Sequence, residues 1–181
     1  MKTENIIATI INTEKYEHLM ENIPHKDFLN LSVIYRDVTI TEDGSTSAII
    51  ISNNTLKKLE MTVDELHDIA VSNTKAKFPL AIEEIDENFF VLTNDYRLFG
   101  AVGIVIAKDM LKGFAKYIDN NLYILPSSIH EVFLLPDIGQ DADFLKCVVE
   151  DANKEVVKGK DYLSDNVYYY DRNTGHIKII R

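Results

Sequence analysis

The chain has 181 residues, 46% of them hydrophobic and 27% charged, which is typical of one globular domain with a substantial core and excludes a disordered chain. Nineteen basic residues against 29 acidic ones give a net charge of −10, which argues against binding nucleic acid by neutralising phosphates and leaves a basic protein partner open. The apolar runs are too short to cross a bilayer, no signal peptide is recognisable, and the single cysteine cannot form an internal disulfide. We therefore expect one domain over residues 1–181 of a cytoplasmic protein without a membrane partner.

The first part of the chain alternates strand and helix patterns. A β-branched run at 6–11 predicts a buried strand, and residues 13–23 carry apolar side chains at helical spacing. Residues 28–40 predict one long strand that ends at the turn sequence EDGS, with residues 46–52 as its hairpin partner.

Two helices are predicted next. Ser52 or Asn53 can cap the first. Thr62 and Glu65 match the capping box of the second, in which each side chain satisfies a free backbone N–H of the other residue. Pro79 marks the exit from this helix.

The rest of the chain again mixes strands and helices. Residues 88–94 and 100–107 predict two strands, residues 108–121 and 141–157 two amphipathic helices, and residues 166–180 a hairpin around the sequence NTG. Because several strand pairs are direct hairpins, we predict an α+β fold, a mixed but mostly antiparallel sheet packed with four to five helices.

The sequence YILPSSIHEVFLLPD at 123–137 is the candidate for a catalytic site. Ser127 or Ser128 could be a nucleophile, His130 its base, and Glu131 or a distant acid the orienting group. There is no G-x-S-x-G elbow, and on a strand His130 and Glu131 would point to opposite faces. A turn between two strands, with the serines bonded to backbone, is the better interpretation.

Other signals for chemistry are weak. Cys147 lies close to the apolar stripe of its helix, which predicts a buried, inert thiol. The residues of that stripe are Phe144, Leu145, Val148, Val149, Ala152 and Val156. His67 is expected to be solvated. The sequence contains no zinc-binding motif and no phosphate-binding loop, so we expect neither a metal nor a cofactor. The five histidines are scattered through the chain: His18, His25, His67, His130 and His176.

Acidic residues are concentrated in the middle of the chain. Residues 60–99 carry nine acids against three bases, and 81–90, AIEEIDENFF, has four carboxylates in five positions. A solvated surface is the ordinary interpretation. The functional one is a partner-binding patch that could also include acids from the region after residue 136. Its members would be Glu83, Glu84, Asp86, Glu87, Asp137, Asp141 and Asp143.

A resemblance adds to these patterns. The segments IPHKDFLNLSVIYR, MTVDELHDIAVSNT, LTNDYRLFGA, LYILPSSIHEVFLLPD and LSDNVYYYDR resemble an uncharacterised domain family encoded on bacterial mobile genetic elements. The likeness runs from about residue 5 to the end. Members of that family are often longer at the N-terminus, so the resemblance implies that this chain is its C-terminal module. It implies no catalytic residues.

The short form also resembles anti-CRISPR proteins that block type II effector nucleases, whose basic channels an acidic domain could enter. The leading hypothesis is therefore a non-enzymatic inhibitor of such a nuclease. One alternative is a small hydrolase using Ser128 and His130. Another is an assembly module for mobile-element transfer.

Overall fold

The computed structural model describes residues 2–126, 128–155 and 159–180. Within these ranges the chain forms six α-helices and ten strands, and all named strand pairs are antiparallel, which confirms the α+β prediction. The residues divide into two compact units, 1–79 and 80–181. That these form the single domain predicted over residues 1–181 stays a prediction. In the described part of the chain, no helix is long and apolar enough to cross a bilayer.

The first unit contains a four-stranded sheet in which β3 pairs with the other three strands. Its elements are β1 (Ile6–Asn12), α1 (Glu17–Met20), β2 (His25–Phe28), β3 (Leu31–Ile40), β4 (Thr46–Ile50), α2 (Asn53–Lys58) and α3 (Val63–Lys77).

Helix α3 covers the outer edge of the fully buried strand β1. The hydroxyl of Thr74 accepts a hydrogen bond from the backbone N–H of Ala8 at 2.9 Å, so a buried polar group of the strand edge is satisfied. The helix begins as predicted, because Thr62 and Glu65 form both halves of the capping box. Ser52 caps α2 as predicted.

Two predictions for this unit are wrong in extent. The strand predicted over 28–40 is two strands, because Leu29 has a φ of 57° and turns the chain between β2 and β3. The helix predicted over 13–23 is only the single turn α1. Its apolar side chains nevertheless pack into the expected core beside Ile11 and Ile34.

The second unit contains a six-stranded sheet in the order β10-β9-β7-β8-β6-β5. Its elements are β5 (Leu80–Asp86), β6 (Phe89–Asn94), α4 (Gly103–Ile106), α5 (Lys108–Tyr117), β7 (Leu122–Leu125), β8 (Val132–Pro136), α6 (Ala142–Glu155), β9 (Tyr168–Tyr170) and β10 (Ile177–Ile179). The helix prediction over 141–157 extends past α6 into residues outside the described ranges.

Helices cover both faces of this sheet. On one face, the rings of Phe90 and Phe114 meet edge to face with 4.9 Å between their centroids, and this contact packs α5 against the sheet. On the other face, Leu145 and Val149 of α6 pack in a core cluster with Tyr123. Since successive residues of a strand point to opposite faces, both sides of the central strands are apolar and the unit has three layers.

Two elements of this unit differ from prediction. The strand predicted over 100–107 is a 3-10 turn, Gly100–Val102, followed by α4. A short apolar run does not distinguish a buried helix from a buried strand by periodicity. Strand β5 was not predicted, because its sequence contains three carboxylates and lacks the alternating apolar pattern; the strand lies at an exposed edge of the sheet.

Candidate protein-interaction surface

The hydroxyl of Ser128 is bonded to backbone. Its oxygen accepts a hydrogen bond from the backbone N–H of His130 at 3.1 Å, a local turn contact. Ser128 also forms an isolated antiparallel bridge with Tyr162. Ser127, the other serine considered as a nucleophile, lies outside the described residues. The segment thus connects β7 to β8.

Both ring nitrogens of His130 face a partner. Nδ1 accepts a hydrogen bond from the backbone N–H of Phe99 at 3.2 Å, and Nε2 lies 3.4 Å from Oδ1 of Asp161. An accepting Nδ1 places the imidazole proton on Nε2, facing the carboxylate. Nδ1, the nitrogen that could act as a base, therefore already accepts a hydrogen bond from the backbone N–H of Phe99. This geometry does not suit activation of Ser128.

Glu131 belongs to a different cluster from His130. Its carboxylate lies 3.8 Å from the guanidinium of Arg97, which also contacts Glu83 at 2.6 Å. Arg97 therefore bridges the edge strand β5 and the loop before β8. Glu83, one of the predicted partner-binding acids, is paired within the unit.

The acids around the β5–β6 turn do not form one face. Glu83 and Glu84 point to opposite sides of β5, since they are consecutive in the strand. The Asp86 carboxylate accepts the backbone N–H of Glu87 at 2.8 Å and so stabilises the turn. The strand register nevertheless places this turn at the same end of the sheet as Asp137.

Asp137 is also engaged. Its Oδ2 accepts a hydrogen bond from the hydroxyl of Tyr169 at 2.6 Å, and this bond, together with partial burial, raises the pKa of Tyr169 to about 12. In the loop that follows, Oδ1 of Asp141 accepts the backbone N–H of Asp143 at 2.9 Å at the start of α6.

An exposed apolar edge runs along α6, directly after these acids. Phe144 is 64% exposed, Val148 is 43% exposed, and Cys147 is exposed too. The three residues are spaced i, i+3, i+4, so they share one face of the helix. We call this face the docking edge. Ile138, in the preceding loop, is 65% exposed.

The docking edge corrects two expectations. Cys147 was predicted to be a buried thiol and is exposed. Phe144 and Val148 were assigned to the same buried stripe as Leu145 and Val149, but only the latter pair is buried. The apolar sector of α6 is wider than the sheet can cover, so one side of it stays in solvent. Val156, the last member of that predicted stripe, lies outside the described ranges.

The histidines and acids do not form a metal centre in the ranges that the structure describes, where no three His, Cys, Asp or Glu side chains converge on one point. His67, expected to be solvated, instead contacts the hydroxyl of Tyr35 through Nδ1 at 3.0 Å. Partial burial lowers the pKa of His67.

Comparison with known proteins gives one family. The model of a family of unknown function, DUF5688, matches residues 1–88 and residues 84–172. The searches of curated proteins and of solved structures found no match.

Proposed function

The chain belongs to DUF5688, a family of unknown function, and we propose that it is a non-enzymatic binding protein whose docking edge seats on a basic surface of another protein. The observation that carries this proposal is the exposure of Phe144 and Val148 on one side of α6. Single exposed apolar residues are ordinary, but an aromatic and an aliphatic side chain on one helix face are the composition of an interface centre.

The charge beside the docking edge indicates the kind of partner. Asp141 and Asp143 lie at the N-terminal end of α6 and are exposed. Acids that flank an apolar centre form the polar rim of an interface and attract a basic partner over long range. A partner with an apolar cleft bordered by lysine and arginine complements this surface.

Two other occupants fit less well. A second copy of the chain would meet the docking edge with the same acids, which places like charges opposite one another in a two-fold dimer. Nucleic acid carries the same sign of charge as Asp141 and Asp143, so its phosphates would be repelled.

The narrower proposal is that the partner is a type II CRISPR effector nuclease and that binding blocks target DNA recognition or cleavage. Its support is the sequence resemblance and the chemistry of such effectors, which hold guide and target in basic channels. Membership in a mobile genetic element belongs to the same proposal.

The direct test is target DNA cleavage by purified type II effectors with increasing amounts of the chain. We expect dose-dependent loss of cleavage near equimolar ratio. The double variant Phe144→Ser, Val148→Ser should weaken inhibition by about 30-fold or more, since removal of a central anchor costs about 2 kcal/mol or more. The matched control is Ile49→Ser, which removes a 62% exposed apolar residue from β4 of the other unit.

A charge variant tests the rim separately. Asp141→Asn, Asp143→Asn keeps a good helix cap while removing two charges, so it should slow association and reduce its salt dependence without unfolding α6. Unimpaired cleavage by several effectors at large molar excess would refute the narrower proposal.

The broader proposal has its own test, because Cys147 is the only cysteine of the sequence. A photo-crosslinker attached there should capture a protein with a basic surface from host cells, and the capture should be lost in the Phe144→Ser, Val148→Ser variant. A nuclease in the crosslink supports inhibition, and transfer proteins support an assembly role. Crosslinks that the variant leaves unchanged would contradict docking through this edge.

A further inference from the structure

A basic cavity of about 260 Å³ lies in the second unit, between the end of α5 and the turn that joins β9 to β10. Three cationic side chains and one carboxylate line it, although the chain as a whole has a net charge of −10. The lining residues are Lys112, Lys116, Asp119, Arg172 and Asn173.

The turn that carries Arg172 is fixed by hydrogen bonds. The Asp171 carboxylate accepts the backbone N–H groups of Asn173 at 2.8 Å and Thr174 at 3.1 Å. The backbone N–H of Arg172 donates to Oδ1 of Asn121 at 3.0 Å, which ties the turn to the start of β7. Arg172 is thus positioned before any ligand arrives.

The guanidinium of Arg172 is held by Asp119, which follows α5. Asp119 has a φ of 55°, which is a left-handed backbone conformation. The Asp119 carboxylate is 88% exposed, and an ion pair this accessible stabilises a fold little. The ion pair with Asp119 orients one edge of the Arg172 guanidinium, and the other N–H groups of the guanidinium can donate to a ligand.

The two lysines add charge at a cost to the helix. Lys112 and Lys116 are four residues apart on α5, so their ammonium groups lie on the same side of the helix and repel each other. An anion between them converts this repulsion into attraction. The cavity therefore combines a directional donor, two point charges and a neutral amide, Asn173.

We propose that this cavity binds the dianionic group of a phosphate monoester. With Asp119 ionised, the lining carries two net positive charges, and a phosphate monoester brings about 1.5 to 2 negative charges at neutral pH. The volume is just below the roughly 300 to 1,000 Å³ of sites that enclose drug-sized ligands, so it fits the phosphate and leaves the rest of the ligand outside. The ester is either a small nucleotide or the terminal phosphate of a nucleic acid strand.

The test is a titration of the full chain followed by amide NMR at constant ionic strength. The probes are inorganic phosphate, a nucleoside 5′-monophosphate, and a single-stranded oligonucleotide with or without a 5′-phosphate. We expect saturable shifts at residues 112–121 and 171–174. Lys112→Gln and Arg172→Gln should each weaken binding by about tenfold, the loss expected for one charge-assisted hydrogen bond. Lys154→Gln is the control, because Lys154 is an exposed cation of α6 outside the cavity.

The mononucleotide and the oligonucleotide probes distinguish a small-molecule ligand from the end of a nucleic acid strand. Binding of the mononucleotide alone identifies a small-molecule ligand, and binding of the 5′-phosphorylated but not the unphosphorylated oligonucleotide identifies a strand end. Absence of saturable shifts with any probe, or shifts that both cavity variants leave unchanged, would overturn the proposal. The docking edge is not altered by these variants, so either idea can fail alone.

Discussion

The backbone N–H of Gly100 donates to the carbonyl oxygen of His130 at 2.8 Å, at a point where no side chain fits between the two segments. A Cβ at position 100 would lie 2.7 Å from that oxygen and 2.7 Å from Cα of Thr93. The neighbouring atoms are backbone and cannot rotate away. Close approach is therefore the reason for glycine here.

Gly100→Ala should lower the free energy of unfolding by about 1–3 kcal/mol, the usual cost of overpacking. The matched control is Gly113→Ala in the exposed interior of α5, where a Cβ would meet nothing within 4 Å. That change should instead stabilise by about 0.5–1 kcal/mol, because alanine has the higher helix propensity. Urea unfolding of both variants measures the difference. Equal changes in the free energy of unfolding for the two substitutions would contradict the close approach of Gly100 to His130 and Thr93.

Replacing His130 tests its assignment as a structural residue. His130→Ala removes the acceptor of the backbone N–H of Phe99, and Phe99 is only 7% exposed. This change should lower the free energy of unfolding by about 1–3 kcal/mol. His130→Asn can present an amide oxygen near the position of Nδ1 and should lose less. His176→Ala, at an exposed position, should be neutral.

His130→Asn, together with Ser128→Ala, tests the alternative that the chain is a hydrolase. If His130 acted as a base for Ser128, any esterase activity of the chain would disappear in both Ser128→Ala and His130→Asn while the fold was retained. We expect no turnover of a chromogenic ester that depends on either residue.

Most of the fold could be predicted because local signals and burial agree. The capping box of Thr62 and Glu65 and the β-branched strand β1 each specify one structure. The segment 100–107 was wrongly predicted as a strand, since a short apolar run is compatible with either a buried strand or a buried helix and the structure has a 3-10 turn followed by α4.

The candidate surface was less predictable for a related reason. Spacing places Phe144, Leu145, Val148 and Val149 on one broad apolar sector of α6, and only the position of the sheet decides which of them are covered. The pairing of Glu83 with Arg97 and of Asp137 with Tyr169 likewise depends on strand order, which one sequence does not specify.

Cys147 should react with a thiol reagent in the folded protein. Because its side chain lies on the exposed docking edge, we expect one equivalent to be modified without denaturant, at a rate comparable to that in urea. A buried thiol would react only through unfolding and would be much slower. Since the sequence has no other cysteine, the signal reports on this position alone. Protection of Cys147 by a bound partner would map that partner to α6.

The bond between Tyr169 and Asp137 should make stability depend on pH in the alkaline range. Together with partial burial, this bond raises the pKa of Tyr169 from about 10 in the unfolded chain to about 12 in the folded one. A group whose folded pKa is raised contributes its full stabilisation below the unfolded pKa. This contribution should therefore be complete below about pH 10 and decline as the pH rises toward about 12.

Tyr169→Phe removes the phenol, so its unfolding free energy should be lower at neutral pH and should fall less steeply between about pH 10 and 12. Urea unfolding at a series of pH values measures both effects, and the other tyrosines remain as a common background. Asp137→Asn should move the Tyr169 titration, followed by phenolate absorbance, back toward about pH 10. Parallel pH profiles for the wild type and Tyr169→Phe would mean that the hydrogen bond seen between Tyr169 and Asp137 at 2.6 Å does not persist in solution.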